Sequence, residues 1–90
     1  MNSIPLSISN AAQRKRLRKH LELNGNITTT EARELLAIMH PAGRIKELRF
    51  QGLSISTEWV VFPDAEGVNH RQAKYVLLND VDTLKANAQQ

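Results

Sequence analysis

The sequence predicts a small α+β domain in which three helices precede a β-hairpin, and three observations support this. Residues 27–52 contain two short helical patterns separated by a tight turn. An alternating, strand-like pattern begins at residue 53, and a second one begins near residue 70. The chain has 90 residues, which is enough for one domain with one compact core.

Helix 1 is predicted over residues 11–23, with Ser9 or Asn10 capping its N-terminus. Leu17 and Leu21 lie four residues apart, so they share one face and are expected in the core. A single apolar residue, Ile27, follows in a stub of strand.

Helix 2 is predicted over residues 29–37, because Thr28 and Glu31 have the spacing of a capping box. Helix 3 begins near His40-Pro41 and ends at Gly52. Apolar residues of both helices and of the turn between them are expected in the core: Ala32, Leu35, Leu36, Ile38, Met39, Ala42, Ile45 and Leu48. Phe50 is expected to pack under the hairpin.

The hairpin is predicted from strands at 53–62 and 70–78, with turn residues at 63–67 between them. This order of elements is typical of a winged helix-turn-helix, with a three-helix core and a β-hairpin wing. We assign residues 1–9 to an N-terminal arm and 10–78 to the domain. Residues 79–90 form either a frayed tail or a short C-terminal helix.

Composition argues against several classes of function. There is no cysteine, which removes disulfides, thiolate zinc sites and cysteine nucleophiles. The three histidines lack metal-like spacing, and no phosphate loop or nucleophile motif occurs. We therefore expect no enzyme activity, no metal and no cofactor. No segment reads as a membrane span or a signal peptide, so a cytoplasmic location is expected.

Positive charge is concentrated in the helical half of the chain. Residues 1–51 hold nine Lys/Arg and four Asp/Glu, a net charge of +5, whereas residues 52–90 hold three and five, a net charge of −2. The asymmetry favours a polyanionic partner such as DNA.

In a helix-turn-helix the second helix of the motif reads the major groove. The corresponding candidates in helix 3 are His40, Gly43, Arg44, Lys46 and Glu47. Arg44 suits a bidentate contact with guanine, or else forms an ion pair within the protein. Glu47 accepts from cytosine or pairs with Arg44, and Gly43 is either a tolerated surface glycine or a point of close approach to DNA. Basic candidates for phosphate contacts lie in helix 1 and the wing: Arg14, Lys15, Arg18, Lys19, Arg71 and Lys74.

The chain also resembles a family of small winged helix-turn-helix proteins that are common in phages and prophages. The shared features are a Thr-x-x-Glu-Ala start of helix 2, a His-Pro-Ala turn, an Arg-Ile-x-Glu-Leu-Arg helix 3 and a His-Arg-x-Ala-Lys-Tyr strand. They correspond to Thr28, Glu31, Ala32, His40, Pro41, Ala42, Arg44, Ile45, Glu47, Leu48, Arg49, His70, Arg71, Ala73, Lys74 and Tyr75. The resemblance spans about residues 13–78 and implies DNA binding.

Two functions are consistent with these features. The first is sequence-specific binding of double-stranded DNA by a phage or prophage transcriptional regulator or recombination accessory factor. A homodimer is then expected, because one small module offers little surface for specific binding. The second is a protein-interaction module that inhibits a host enzyme or a defence complex.

Overall fold

A computed structural model describes residues 8–78 of the protein. Three helices and three strands follow one another in this order: α1 (Asn10–Asn24), β1 (Asn26–Thr28), α2 (Thr29–Leu36), α3 (Pro41–Phe50), β2 (Ile55–Pro63) and β3 (Asn69–Leu77). Residues 1–7 of the predicted arm, and the tail or short helix at 79–90, lie outside the described residues.

The three strands form one antiparallel sheet in the order β1-β3-β2. Strands β2 and β3 make the predicted hairpin, and Ile55 lies opposite Leu77 at its base. The short β1 pairs with the other edge of β3, where Ile27 faces Tyr75. The helices and this sheet confirm the predicted α+β winged helix-turn-helix architecture.

Within residues 8–78, one hydrophobic core lies between the helices and one face of the sheet. Every element contributes to it, and its buried residues are Leu17, Leu21, Ile27, Ala32, Ile38, Ile45, Leu48, Ile55, Ala73 and Tyr75. The predictions that Leu17, Leu21 and Ile27 are buried are confirmed. Removing such side chains from water provides most of the driving force for folding.

Local hydrogen bonds fix where the first two helices begin. The hydroxyl of Ser9 accepts from the Ala12 amide at 3.1 Å, so Ser9 is the N-cap of α1. The predicted capping box of α2 is present: the Glu31 amide donates to Thr28 Oγ1 at 3.1 Å, and the Thr28 amide donates to Glu31 Oε1 at 2.9 Å.

Four predictions of buried residues are wrong: Leu35, Met39, Ala42 and Phe50 are exposed. α2 has only eight residues, and its C-cap Ala37 is left-handed, with φ 55°. The Ile38 amide donates to Ala32 O at 3.1 Å, so Ile38 enters the core and Met39 does not.

In α3 the buried face has a different phase from the predicted one. Pro41, Ile45 and Leu48 are buried, in place of the expected Ala42, Ile45 and Leu48. Phe50 follows Ile45 by five residues, which rotates it by roughly 140° away from the core at about 100° per residue.

The left-handed Ala37 leads to a test of the turn between α2 and α3. A non-glycine residue in this conformation carries strain of about 1 kcal/mol, which glycine relieves. We expect Ala37→Gly to raise the free energy of unfolding in urea by up to about 1 kcal/mol. Ala42→Gly, the same change in the right-handed first turn of α3, should lower it instead. Destabilisation by both changes would contradict the assigned turn geometry.

Candidate nucleic-acid interface

The outward face of α3 is uncovered by the rest of the described chain. Ala42, Lys46 and Phe50 recur every four residues along it, and all three are exposed. Phe50 is 94% exposed, which is unusual for a phenylalanine at the end of a packed helix. Gly43 and Arg49 border this stripe. The helix therefore presents a mixed basic and apolar surface to a partner.

Gly43 has no internal packing reason to be glycine. A Cβ atom built on it meets nothing within 4 Å, and its φ is not in the left-handed region. His40 precedes α3 as its N-cap residue, but its side chain makes no capping hydrogen bond. Gly43 leaves the first turn of α3 sterically open on its outer side.

Arg44 and Glu47 turn towards α1 rather than outward. Glu47 Oε1 lies 2.8 Å from Arg14 Nη1 and 3.0 Å from Arg44 Nε, and Glu47 Oε2 accepts from Arg44 Nη2 at 3.0 Å. Arg44 Nη1 also donates to Asn10 Oδ1. Of the two alternatives for Arg44 and Glu47, this structure shows the ion pair within the protein.

The basic residues of α1 divide between two sides of the helix. Arg14, Lys15 and Arg18 line a groove between α1 and the C-terminal end of α3. Lys19 lines a different groove, beside Leu36 of α2. Of these four residues, Arg14 also lines the depression along the outward face of α3, and Lys19 does not.

The wing is attached to α3 by Arg49. Its Nε donates to the Ile55 carbonyl at 2.9 Å, and its Nη2 donates to Thr57 Oγ1 at 2.8 Å. Two residues further along β2, Trp59 lies on the same sheet face and is 60% exposed. The Arg71 guanidinium lies 5.0 Å from the centre of the Trp59 ring, a cation–π distance.

Lys74 lies on the other face of the sheet. It alternates with the buried Ala73 and Tyr75, and it is opposite Glu58 of β2 and Thr28 of β1. Arg71 and Lys74 therefore project from opposite faces of β3. Arg71, but not Lys74, lies on the same sheet face as Thr57, to which Arg49 is hydrogen-bonded.

The acidic wing tip has a structural role. The Asp64 carboxylate accepts from the amides of Glu66 and Val68, both at 2.9 Å, and lies 2.7 Å from His70 Nε2. The hydrogen bond from His70 and those from the turn amides lower the pKa of Asp64 below its ordinary value. This carboxylate closes the turn.

The structure brings together residues that the sequence did not connect. Asn10 was considered as a cap of helix 1 and Arg49 as part of the family resemblance, and their contacts with other elements depend on side-chain distances that the sequence does not show. Phe50 was expected to pack under the hairpin, and it is exposed instead.

A family model for the winged helix-turn-helix domain matches residues 12–80. The chain therefore belongs to the winged helix-turn-helix domain family, whose members are typically DNA-binding modules. Comparisons with curated proteins and with solved structures found no significant match. Within residues 8–78, no helix is both long and apolar enough to cross a bilayer.

Gly43 permits a test that separates folding from binding. Gly43→Ala adds a methyl group in open space and should stabilise α3 by about 0.5–1 kcal/mol, because alanine is the better helix former. If a partner approaches this turn closely, the same change weakens binding. We expect a higher melting temperature together with a lower affinity for duplex DNA. An unchanged affinity would identify Gly43 as a tolerated surface glycine.

The Asp64 turn should depend on pH. Because the pKa of Asp64 is lowered in the folded wing, its contribution is complete above the ordinary pKa of aspartate. The contribution is lost as the pH falls through the lowered value. The amide NMR signals of Glu66 and Val68 should shift in that acidic range. Asp64→Asn should abolish this titration, and its persistence in the variant would contradict the assignment.

Proposed function

We propose that this protein binds double-stranded DNA sequence-specifically, with the outward face of α3 in the major groove. The observation that supports this most directly is the uncovered stripe of Ala42, Lys46 and Phe50, with Gly43 beside it. In this class of domain the second helix of the motif contacts base edges. A regulator of transcription, or an accessory factor in recombination, of phage or prophage origin and cytoplasmic, is the role we propose.

The side chains of this stripe suit contacts in the major groove of DNA. Lys46 is exposed and has no ion pair within residues 8–78, so its ammonium group is available to a phosphate or to guanine. Ala42 and Phe50 offer apolar surface for a thymine methyl group. Gly43 lets the backbone of α3 approach the edge of the groove.

Phosphate contacts would be made on both sides of α3. On one side Lys15 is exposed in the groove beside the end of α3. On the other side Arg71 is held over Trp59 on the wing. Neutralising phosphates releases counterions, so binding through such residues weakens as salt rises.

A homodimer is part of the proposal. A single module of this kind buries about 600–1,000 Å² of protein surface on DNA, which is the low end for specific recognition. A helix of ten residues exposes only one short stripe to the groove. Two copies on neighbouring half-sites would double the contacts that distinguish one sequence from another.

Exposed aromatic residues favour a second candidate function. Phe50 and Trp59 are 94% and 60% exposed, and aromatic residues are enriched where proteins bind one another. In this alternative the same surface binds a host enzyme or a component of a host defence complex. The basic residues around it would then meet an acidic protein surface.

A salt titration with two matched variants tests the DNA proposal. The affinity of the wild type for a random-sequence duplex should fall as salt rises. Lys46→Gln should reduce the slope of log affinity against log salt by about 1, because one phosphate contact is lost. Lys74→Gln removes the same charge from the opposite face of the sheet and should change the slope less. Fluorescence anisotropy measures all three proteins.

Two outcomes would count against the proposal. Undetectable binding to any duplex at low salt removes DNA as the partner. Equal effects of Lys46→Gln and Lys74→Gln would show that the contact is made elsewhere than on α3.

The protein-partner alternative has its own measurement. The tagged protein is incubated with nuclease-treated host lysate, and Trp59→Ala is the comparison. Retention of one stoichiometric protein by the wild type, and its loss with Trp59→Ala, would favour this alternative. Loss of every partner after nuclease treatment would count against it.

A further inference from the structure

One carboxylate, that of Glu47, holds two arginines from different helices. Arg14 of α1 and Arg44 of α3 both reach it, with nitrogen–oxygen distances of 2.8–3.0 Å. The side chain of Asn10 accepts a further hydrogen bond from Arg44. The guanidinium groups are therefore positioned by the protein before any ligand arrives.

This cluster differs from an ordinary surface ion pair in its burial. The side chains of Arg14, Arg44 and Glu47 are 24%, 15% and 34% exposed, whereas both members of the Arg18–Glu22 pair are more than 50% exposed. Partial exclusion of water strengthens the attraction between the charges. Before either arginine could bind a phosphate, its ion pair with Glu47 would have to break.

The cluster also lies beside the proposed reading surface. Arg14, Gly43, Lys46 and Glu47 line one shallow depression along α3. Lys46 in this depression, and Lys15 in the neighbouring groove between α1 and the C-terminal end of α3, have no ion pair within the described part of the chain. Lys46 and Lys15 are thus free to meet phosphates, whereas Arg14 and Arg44 are already paired.

We propose that Glu47 is a positioning residue that withholds Arg14 and Arg44 from DNA phosphates and so keeps binding to non-specific DNA weak. This inference rests on the proposed DNA-binding function. Non-specific binding comes almost entirely from phosphate contacts, whereas sequence is read at base edges. Pairing two arginines within the protein reduces the phosphate contacts that support non-specific binding, and it leaves the base contacts of α3 in place. The ratio of specific to non-specific affinity therefore rises.

The test measures the salt dependence of binding to a random-sequence duplex. Glu47→Gln keeps the size of the side chain and removes its charge, so both arginines are released. The slope of log affinity against log salt should become steeper by about 1–2, since each additional phosphate contact contributes about 0.9. Low-salt affinity should rise with it.

The control is Glu34→Gln. Glu34 is exposed on α2 and has no ion pair within residues 8–78, so its substitution changes the net charge equally and releases no arginine. It should leave the slope near that of the wild type. In the triple variant Glu47→Gln with Arg14→Gln and Arg44→Gln, the additional slope should disappear.

A second measurement on the wild type covers the case in which Glu47→Gln does not fold. The Nη–H NMR signals of Arg14 and Arg44 report whether each guanidinium is held, because Nη atoms donate the hydrogen bonds to Glu47. In the free protein these signals should show that both groups are immobilised. The signals should not change when random-sequence duplex is added.

The outcomes separate the two proposals. If the wild type binds no duplex at low salt, the DNA-binding proposal fails. If the wild type binds but Glu47→Gln matches Glu34→Gln, or if random duplex shifts the arginine signals, DNA binding stands and the role of Glu47 is overturned.

Discussion

The packing of α1 against α3 is the constraint on which the rest of the molecule depends. Leu17 and Leu21 of α1 share the core with Ile45 and Leu48 of α3, and all four are almost completely buried. Burying a leucine or isoleucine side chain contributes about 1.5–3 kcal/mol. In a chain this small, that contact fixes which side of α3 is left for a partner.

The same contact sets the chemistry of the polar residues along its edge. Asn10 of α1 contacts Arg44 of α3, and further along both helices Arg14 contacts Glu47. The two helices therefore run alongside each other in the same direction. An arginine that would extend into solvent from an isolated α3 meets a partner on α1 instead. Core packing thus determines which cations of the surface remain unpaired.

The elements of the fold could be predicted because their signals are local. The capping box of α2, the glycine after α1 and the alternation in the wing each depend on a few neighbouring residues. The phase of α3 could not be read in this way. Pro41 and Ala42 are both apolar residues in its first turn, and only the packed structure shows that Pro41 enters the core and Ala42 does not.

The candidate site was less predictable than the fold, for a physical reason. Sequence shows which residues carry charge, but the availability of a charge depends on distances between elements. Arg44 and Lys46 look equivalent in the sequence, yet one is paired with Glu47 and the other is exposed. Lys74 and Arg71 are equally basic and lie on opposite faces of one strand.

The central position of β3 has a consequence for the order of folding. β3 is the last described strand of the chain, and it pairs both with its neighbour β2 and with β1, from residue 27 to residue 75. During synthesis Ile27 has no strand partner until Tyr75 has emerged. The hairpin can form locally, but the helices gain a complete core only when it docks, and such non-local pairing slows folding. A nascent chain that ends in the wing turn would carry α1, α2 and α3 without the strand that completes their core.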